Sequence, residues 1–137
     1  MPTGEILPVA GTPLDFNTPH SLGESIGDNS KQLKIAGGYD HNYVLDNKVE
    51  VDAEVYDPVS GRKLEVITDQ PGIQLYTGNG LNGRAIGHGG KPYNRRSGFC
   101  LEAEHFPDSP NHSNFPITIL NPGETFKSVT IYRFSVE

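Results

Sequence analysis

Two glutamates share one face of a short predicted strand, and carboxylates in such a position can accept protons or bind hydroxyl groups. Apolar and polar residues alternate here, with Phe99, Leu101 and Ala103 on one side and Cys100, Glu102 and Glu104 on the other. The loop that follows, residues 105–116, contains three prolines, two asparagines and two histidines. We therefore expect the carboxylates to lie where an ordered strand meets a polar loop, a common place for chemistry.

Two further polar groups interrupt apolar segments of the chain. The triplet Asp40-His41-Asn42 precedes an apolar stretch, and Gln74 lies inside the run 72–76. Carboxylates and amides exchange hydrogen bonds with neighbouring sugar hydroxyls, and aromatic rings cover the C–H faces of a sugar. Aromatic candidates for that second role are Tyr76, Tyr93, Phe99 and Phe106. Together with the two glutamates, these groups are typical of the lining of a sugar site.

The spacing of Glu102 and Glu104 also allows the hypothesis of a glycosidase acid and base. Alternate residues of a strand lie about 7 Å apart. Two carboxylates of one strand line a single wall, however, whereas a glycosidase pair must flank the bond that is cleaved, so we discount this hypothesis. A solvated strand face without a function stays open as the interpretation of either glutamate.

Neither a metal nor a cofactor is expected. His105 and His112 lie in a proline-rich loop without regular spacing, and His41 is distant in sequence, so a zinc site is not indicated. The single cysteine, Cys100, excludes an intrachain disulfide framework and a cysteine-based zinc site. The glycine-rich run 87–90 precedes no predicted helix, and it is therefore not a phosphate loop.

Short strands separated by turns must position these polar groups. Val49, Val51, Ala53 and Val55 alternate with acidic residues, which predicts a half-buried strand. A turn over 57–62 and a partner strand over 63–68 follow, and 71–76 begins another strand. With no helix of normal length, this pattern predicts an all-β protein, an antiparallel β-sandwich, formed as a single domain over residues 1–137.

The C-terminal third continues the β pattern. We expect a brief strand over 117–120, a turn at 121–124 and a long strand over 126–136 that is partly apolar on both faces. Residues 78–97 hold six glycines and predict a long loop. Residues 21–26 allow one turn of helix, and residues 1–20 predict an extended segment anchored at 12–16.

The charge and composition limit the partners and the compartment. A net charge of −6 argues against binding to nucleic acid or to an anionic membrane. No segment has the pattern of a signal peptide or the length to span a membrane, and one cysteine fits a reducing compartment. A cytoplasmic location is therefore expected.

Five motifs occur in order along nearly the whole chain. They are Gly38-Tyr-Asp-His-Asn-Tyr-Val-Leu45, Asp57-Pro-x-Ser-Gly-Arg62, the run from Thr68 to Asn79 containing Gln-Pro-Gly-Ile-Gln-Leu-Tyr, Gly98-Phe-Cys-Leu-Glu102, and the run from His105 through Asn121-Pro-Gly-Glu124 to Val136. In order and spacing these motifs resemble the aldose 1-epimerase (galactose mutarotase) family, and specifically its C-terminal part.

The resemblance implies a partial galactose mutarotase-like supersandwich and the interconversion of α and β anomers of free aldoses such as galactose and glucose. In the family mechanism a glutamate takes the proton of the C1 hydroxyl, a histidine protonates the ring oxygen, and the open-chain aldehyde recloses on either face. By motif position, Glu102 matches the glutamate base, Asp40 matches the aspartate that binds sugar hydroxyls, and Gln74 matches a glutamine of the pocket.

Two departures from the family pattern affect this assignment. Glu104 stands where the family usually has glutamine, and no segment matches the part that normally brings the sugar-binding arginine and the general-acid histidine. His41 and His105 are the local candidates for that acid, and Tyr76 and Glu104 are further candidate site residues. We expect the missing part to come from a homo-oligomer or a complementary chain. The alternatives are a non-catalytic carbohydrate-binding β-sandwich and an inactive truncated fragment.

Overall fold

The computed structural model describes residues 2–46 and 50–137, which form six β-strands and two short α-helices. In chain order the elements are α1 (Leu22–Ser25), α2 (Lys31–Ala36), β1 (Asp40–Val44), β2 (Ala53–Asp57), β3 (Arg62–Thr68), β4 (Gly72–Tyr76), β5 (Cys100–Glu104) and β6 (Thr130–Val136). The strands form two three-stranded sheets, with the orders β1-β4-β5 and β2-β3-β6. The predicted all-β class is confirmed.

The chain divides into two compact units. The first unit contains Met1–Gly4, Asn42–Ile73 and Ala103–Glu137, and the second contains Glu5–His41 and Gln74–Glu102. The β2-β3-β6 sheet belongs wholly to the first unit. The formation of a single domain by residues 1–137 stays a prediction.

The β2–β3 hairpin has the position that the alternation and the turn residues predict. Ala53 pairs with Val66 at one end, and Asp57 pairs with Arg62 beside the turn. Within the turn, the Asp57 carboxylate accepts hydrogen bonds from the backbone N–H of Val59 and from the hydroxyl of Ser60. The predicted start of this strand, Val49, lies outside the described residues, and β2 begins at Ala53.

The β2-β3-β6 sheet has two chemically different faces, because directly paired residues of antiparallel strands share a face. The more apolar face carries Ala53, Val55, Leu64, Val66, Tyr132, Phe134 and Val136, with Asp57, Arg62, Thr68 and Thr130 at its ends. The more charged face carries Glu54, Lys63, Glu65 and Arg133, together with Tyr56, Ile67, Ile131 and Ser135. Hydrogen bonds to Glu54 and to Glu137 raise the pKa of the Lys63 ammonium, at N–O distances of 2.9 and 3.0 Å. Arg133 Nε donates to Glu65 at 2.8 Å.

Strands β1 and β4 run antiparallel. Hydrogen bonds just beyond their ends establish this direction, since Thr77 N donates to Tyr39 O and Leu45 N donates to Pro71 O. On β4 the side chains of Ile73 and Leu75 are buried, whereas Gln74 is half-buried. The two faces of this strand therefore differ in burial.

The two helices lie in the second unit and have identifiable caps. The Ser21 hydroxyl accepts from Gly23 N at the start of α1, which confirms the predicted turn of helix. Helix α2 was not predicted from the sequence, although its caps are recognisable: the Ser30 hydroxyl accepts from Leu33 N, and Gly37 ends the helix with a φ of 70°. The C-terminal cap of α2 leads directly into β1.

The N-terminal segment is anchored where the sequence predicts. The Tyr39 hydroxyl donates to Pro13 O at 2.9 Å, and the ring of Phe16 packs edge-on against Tyr39, which is fully buried. The predicted extended segment is therefore attached to the core of the second unit through residues 12–16.

The C-terminal strand predictions were only partly correct. Residues 117–120 form no strand, and β6 begins at Thr130 instead of at Phe126. The apolar side chains of Ile117, Ile119 and Phe126 are exposed. A strand needs a paired neighbour, and the described residues place none beside these segments, so their alternating pattern is not sufficient to form one. The turn at 121–124 is confirmed by a hydrogen bond from Glu124 N to Asn121 O.

No helix among residues 2–46 and 50–137 has the length and apolar character needed to cross a membrane.

Candidate functional site

Asp40 and Gln74 form a side-chain pair in the second unit. Gln74 Nε2 donates to Asp40 Oδ1 at 2.8 Å, which fixes the orientation of the amide. Gln74 Oε1 is buried and has no hydrogen-bond partner within the described part of the chain. A buried carbonyl oxygen without a donor costs folding free energy.

Backbone and side-chain hydrogen bonds fix the start of the strand that carries Asp40. Tyr39 N donates to the hydroxyl of Thr77 at 3.1 Å, and Thr77 is almost fully buried. Asn79 Nδ2 donates to Tyr39 O at 2.8 Å and to Ala36 O at 3.2 Å. Thr77 and Asn79, which follow β4, therefore fix the segment between α2 and β1 through these hydrogen bonds.

Two glycines make this connection possible. Gly37 and Gly38 have φ values of 70° and 145°, which favour glycine. A Cβ atom at Gly38 would overlap Oδ1 of Asn79. Residues with side chains would therefore strain the backbone between α2 and β1.

Two arginines of the long loop bind the same carbonyl group. Arg95 and Arg96 donate through Nη2 to Gly37 O at 2.7 and 3.1 Å. The predicted long loop over 78–97 is bound in this way to the residues that precede Asp40. Four positioning residues were not predicted from the sequence: Thr77, Asn79, Arg95 and Arg96. The first two follow β4 within the motif that runs from Thr68 to Asn79.

His41 accepts a backbone hydrogen bond through one ring nitrogen, since Asp40 N donates to its Nδ1 at 3.0 Å. Because Nδ1 accepts, the proton of the neutral ring lies on Nε2. Burial lowers the pKa of His41, against the opposing charge of Asp40 and the Gln32 hydrogen bond. His41 is therefore a neutral ring engaged with the backbone.

Two further candidate residues of the second unit are Tyr76, two positions after Gln74 on β4, and Glu102 on β5. Glu102 is exposed on β5, the strand next to β4, and Leu101 on the opposite face is half-buried. The Tyr76 hydroxyl accepts from Gly80 N at 2.9 Å, so it fixes the beginning of the long loop. The structure places Asp40, His41, Gln74, Tyr76 and Glu102 in the second unit.

Glu104 and His105 lie in the first unit and have partners there. Asn42 Nδ2 donates to Glu104 Oε1 at 3.1 Å. His105 Nδ1 lies 2.9 Å from Gln70 Oε1, an acceptor, so this nitrogen carries the proton. The structure therefore distinguishes two glutamates that the sequence pattern treats alike: Glu104 is bonded to an amide, and Glu102 is exposed to solvent.

An open depression of the second unit, of about 610 Å³, is lined by Leu22 of α1 and by Ile26, Thr77 and Phe99, among others. Of the residues predicted for the site, it includes the aromatic candidate Phe99. Asp40, Gln74 and Glu102 are not among its lining residues. The chemistry of the Asp40–Gln74 pair, and not the depth of a cavity, therefore identifies the candidate site. Within the described part of the chain, no group of three or more His, Cys, Asp or Glu residues could hold a metal ion.

Comparison with known sequences identifies relatives along almost the whole chain. The family model described as aldose 1-epimerase matches residues 1–133. The galactose mutarotase of Homo sapiens is 44% identical over 138 residues, which is 99% of this chain and 39% of that protein. The aldose 1-epimerase of Escherichia coli is 37% identical over 134 residues, 94% of this chain and 38% of that protein. The chain thus spans about two fifths of the length of these relatives.

Solved structures agree with the sequence comparison. An aldose epimerase homologue from C. elegans superposes with a TM-score of 0.86 at 28% identity, covering 98% of this chain and 40% of that one. The galactose 1-epimerase of Lactobacillus acidophilus superposes with a TM-score of 0.69 at 26% identity, covering 93% and 36% of the two chains. These neighbours support the β-sandwich prediction, and the family match over residues 1–133 shows that the chain belongs to the aldose 1-epimerase family.

Proposed function

We propose that this chain carries the general base and part of the sugar-binding surface of an aldose 1-epimerase that interconverts the α and β anomers of galactose or glucose. The observation that supports this best is the Asp40–Gln74 pair, in which one hydrogen bond orients an amide whose buried oxygen has no described partner. The names galactose mutarotase and aldose 1-epimerase, which the relatives carry, agree with that chemistry.

In this proposal Glu102 is the general base. Its carboxylate takes the proton of the C1 hydroxyl, the bond between C1 and the ring oxygen breaks, and an acid delivers a proton to that oxygen. Rotation about the C1–C2 bond of the open aldehyde and the reverse transfers give the other anomer, so protons balance over the cycle. Asp40 accepts and Gln74 exchanges hydrogen bonds with ring hydroxyls, which positions C1 near the base.

The general acid comes from outside the residues of this site. His41 is an unsuitable acid, because burial lowers its pKa and its Nδ1 accepts a hydrogen bond from Asp40 N. His105 directs its Nδ1 proton to Gln70 in the first unit. We therefore propose that the acid is supplied by association, either with a second copy or with a complementary polypeptide.

The proposed substrate is a small free aldose, and the proposed location is the cytoplasm. The net charge of −6 disfavours nucleic acid and anionic membranes as partners. A single, exposed cysteine is compatible with a reducing compartment.

Polarimetry of freshly dissolved α-D-galactose and α-D-glucose tests the catalytic proposal. We expect the assembly that supplies the acid to accelerate the reaction over buffer, and we expect a loss of about 10²- to 10⁴-fold with Glu102→Gln, since the amide cannot accept the proton. Glu104→Gln is the matched variant on the same strand face, and Gln at this position can still accept from Asn42. An equal loss in both variants would remove Glu102 as the base.

His41 has a lowered pKa and a backbone hydrogen bond at Nδ1, which makes it a poor general acid. This favours a second candidate function, a carbohydrate-binding module without turnover. Galactose titration by calorimetry distinguishes it from the enzyme. Binding that is weakened by Gln74→Ala, together with no catalysis by any assembly of the chain, would support the module. Failure to bind at tens of millimolar would exclude both functions for this site.

A further inference from the structure

One hydrogen bond at the start of β1 links the ring of His41 to the backbone of Asp40. Tyr39 O accepts from Thr77 N and Tyr39 N donates to the Thr77 hydroxyl, so the backbone groups of Tyr39 face the end of β4. Because successive residues of an extended chain direct their backbone groups to opposite sides, the N–H of Asp40 points away from β4. There it donates to Nδ1 of His41 at 3.0 Å. A side-chain acceptor therefore holds Asp40 on the side that β4 does not reach.

The side chain of the same residue belongs to the candidate sugar site. The Asp40 carboxylate accepts from Nε2 of Gln74 at 2.8 Å, and Asp40, His41 and Gln74 all lie in the second unit. Hydrogen bonds weaken steeply as their distance and angle depart from the ideal, so a displaced Asp40 backbone would also displace the carboxylate from Gln74. The acceptor on His41 is therefore placed to control the geometry of the Asp40–Gln74 pair.

Only the neutral His41 ring can accept this hydrogen bond. In the imidazolium ion both ring nitrogens carry protons and donate, so a protonated ring would direct an N–H at the N–H of Asp40. Its positive charge would also attract the Asp40 carboxylate, which Gln74 holds in the neutral state. Burial lowers the pKa of His41; the charge that acts on the ring is the Asp40 carboxylate, and α2 faces the ring with the uncharged backbone of Gln32. The fold therefore favours the neutral ring at neutral pH.

We propose that neutral His41 is a positioning residue of the sugar site: its Nδ1 holds the backbone of Asp40 so that the carboxylate meets Gln74, and protonation of the ring releases Asp40 and weakens sugar binding. The ring acts through Asp40 and does not touch the sugar. The effect on sugar rests on the proposed function, whereas the hydrogen bond is independent of it. Because binding needs the neutral ring, the affinity is full above the pKa of His41 and falls as the pH decreases through it. By linkage, bound sugar lowers the pKa of the ring by the same factor.

Nitrogen NMR of the 137-residue chain without sugar tests the hydrogen bond first. The ring nitrogens of His41 give the midpoint of its protonation, and the backbone amide of Asp40 is followed in the same samples. As the ring becomes protonated, we expect the Asp40 amide to shift and to exchange faster with solvent, after correction for the intrinsic pH dependence of exchange, with the same midpoint. An Asp40 amide that is unaffected by the titration of the ring would overturn the positioning role.

Galactose titration over the same pH range tests the effect on binding. The loss of one neutral hydrogen bond changes an equilibrium constant about fivefold, so the affinity should fall by about that factor across the titration of His41. Saturating galactose should accordingly lower the midpoint of the ring by about 0.7 pH unit, the logarithm of the same factor. A wild type that does not bind galactose at neutral pH would refute the proposed function of the site. Binding that is insensitive to the protonation of His41 would overturn the positioning role alone.

Two substitutions of equal size separate the acceptor from the ring. Asn and Leu both place an atom at the position of Nδ1, but only Asn offers an oxygen that accepts from Asp40 N, and it does not titrate. His41→Asn should bind galactose within about twofold of the wild type at neutral pH and lose the step at the ring midpoint, whereas His41→Leu should bind about fivefold more weakly at every pH. His20→Asn, at another histidine of the second unit, should keep the wild-type pH profile. Equal affinities of the Asn and Leu variants, or a step that persists in His41→Asn, would overturn the positioning role. If a variant does not fold, the NMR titration of the wild type still decides.

Discussion

Gly38→Ala is expected to damage the region that positions Asp40 more than an ordinary substitution would. Gly38 has a φ of 145°, which L-residues rarely adopt, and the added Cβ would overlap Oδ1 of Asn79. Asn79 must then move, although its side chain donates to Tyr39 O and Ala36 O and accepts from Thr77 Oγ1. The substitution therefore strains the backbone and disrupts three hydrogen bonds at once.

The magnitude follows from these two effects. A residue forced into a glycine-only conformation costs about 1–3 kcal/mol. Each lost hydrogen bond costs about 1 kcal/mol, and some will re-form after relaxation, so we expect a total destabilisation of roughly 3–5 kcal/mol. Most single substitutions cost about 0.5–3 kcal/mol, so this effect should be distinguishable.

Chemical denaturation followed by circular dichroism and by tyrosine fluorescence measures the change in the free energy of unfolding. Gly27→Ala is the matched control, because it lies in the same unit, has no atom within 4 Å of the added Cβ and lacks a positive φ. The control should keep wild-type stability or gain up to about 1 kcal/mol. If Gly38→Ala stays within about 1 kcal/mol of the wild type, the proposed role of the Gly38–Asn79 contact is wrong.

Three further predictions concern single side chains. Thr77→Val removes the buried hydroxyl that accepts from Tyr39 N and should cost about 1–3 kcal/mol in denaturation, whereas a cost below about 0.5 kcal/mol would refute this role. Hydrogen bonds from Ser128 and Val129 hold the pKa of Asp69 below its ordinary value of 3.8, so Asp69→Asn should be less stable than the wild type above pH 3.8 and approach it as the pH falls below that value. A difference that is independent of pH would contradict this assignment. Burial lowers the pKa of His41 below 6.5, so nitrogen NMR at pH 6.5 should find a mostly neutral ring protonated at Nε2, and a midpoint above 6.5 would exclude that environment.

Local sequence patterns predict the hairpin and the central strands well, because one face of each strand is buried and turn residues limit the ends. Alternation places Ile73 and Leu75 in the interior and leaves Gln74 on the other face, as observed. The same rule fails at 117–120 and at 126–129, where the alternating residues have no paired strand in the described structure. Alternation predicts which face of a strand would be buried. Strand formation also needs a neighbouring strand to pair with, and the local sequence does not specify that neighbour.

The polar residues of the candidate site were predictable from the sequence, whereas the residues that hold them in position were not. Residue type and motif position indicate Asp40, Gln74 and Glu102, and the structure joins the first two by a hydrogen bond. The binding of Arg95 and Arg96 to Gly37 O depends on bringing together residues almost 60 positions apart, with a backbone carbonyl as the acceptor. No residue pattern marks such an acceptor, since every residue has one. The engagement of His41 with backbone groups was missed for the same reason.

A galactose titration followed by NMR of the Gln74 side-chain amide tests the central claim most directly. We predict saturable shifts of the Gln74 amide and of the Asp40 and Glu102 carboxyl carbons, with the Glu104 carboxyl changing much less. Glucose should act on the same resonances, and a sugar alcohol without an anomeric centre should leave Glu102 unchanged. If galactose at tens of millimolar leaves Gln74 unmoved, or shifts only residues of the α1 depression such as Leu22 and Phe99, the sugar site is not formed by the Asp40–Gln74 pair.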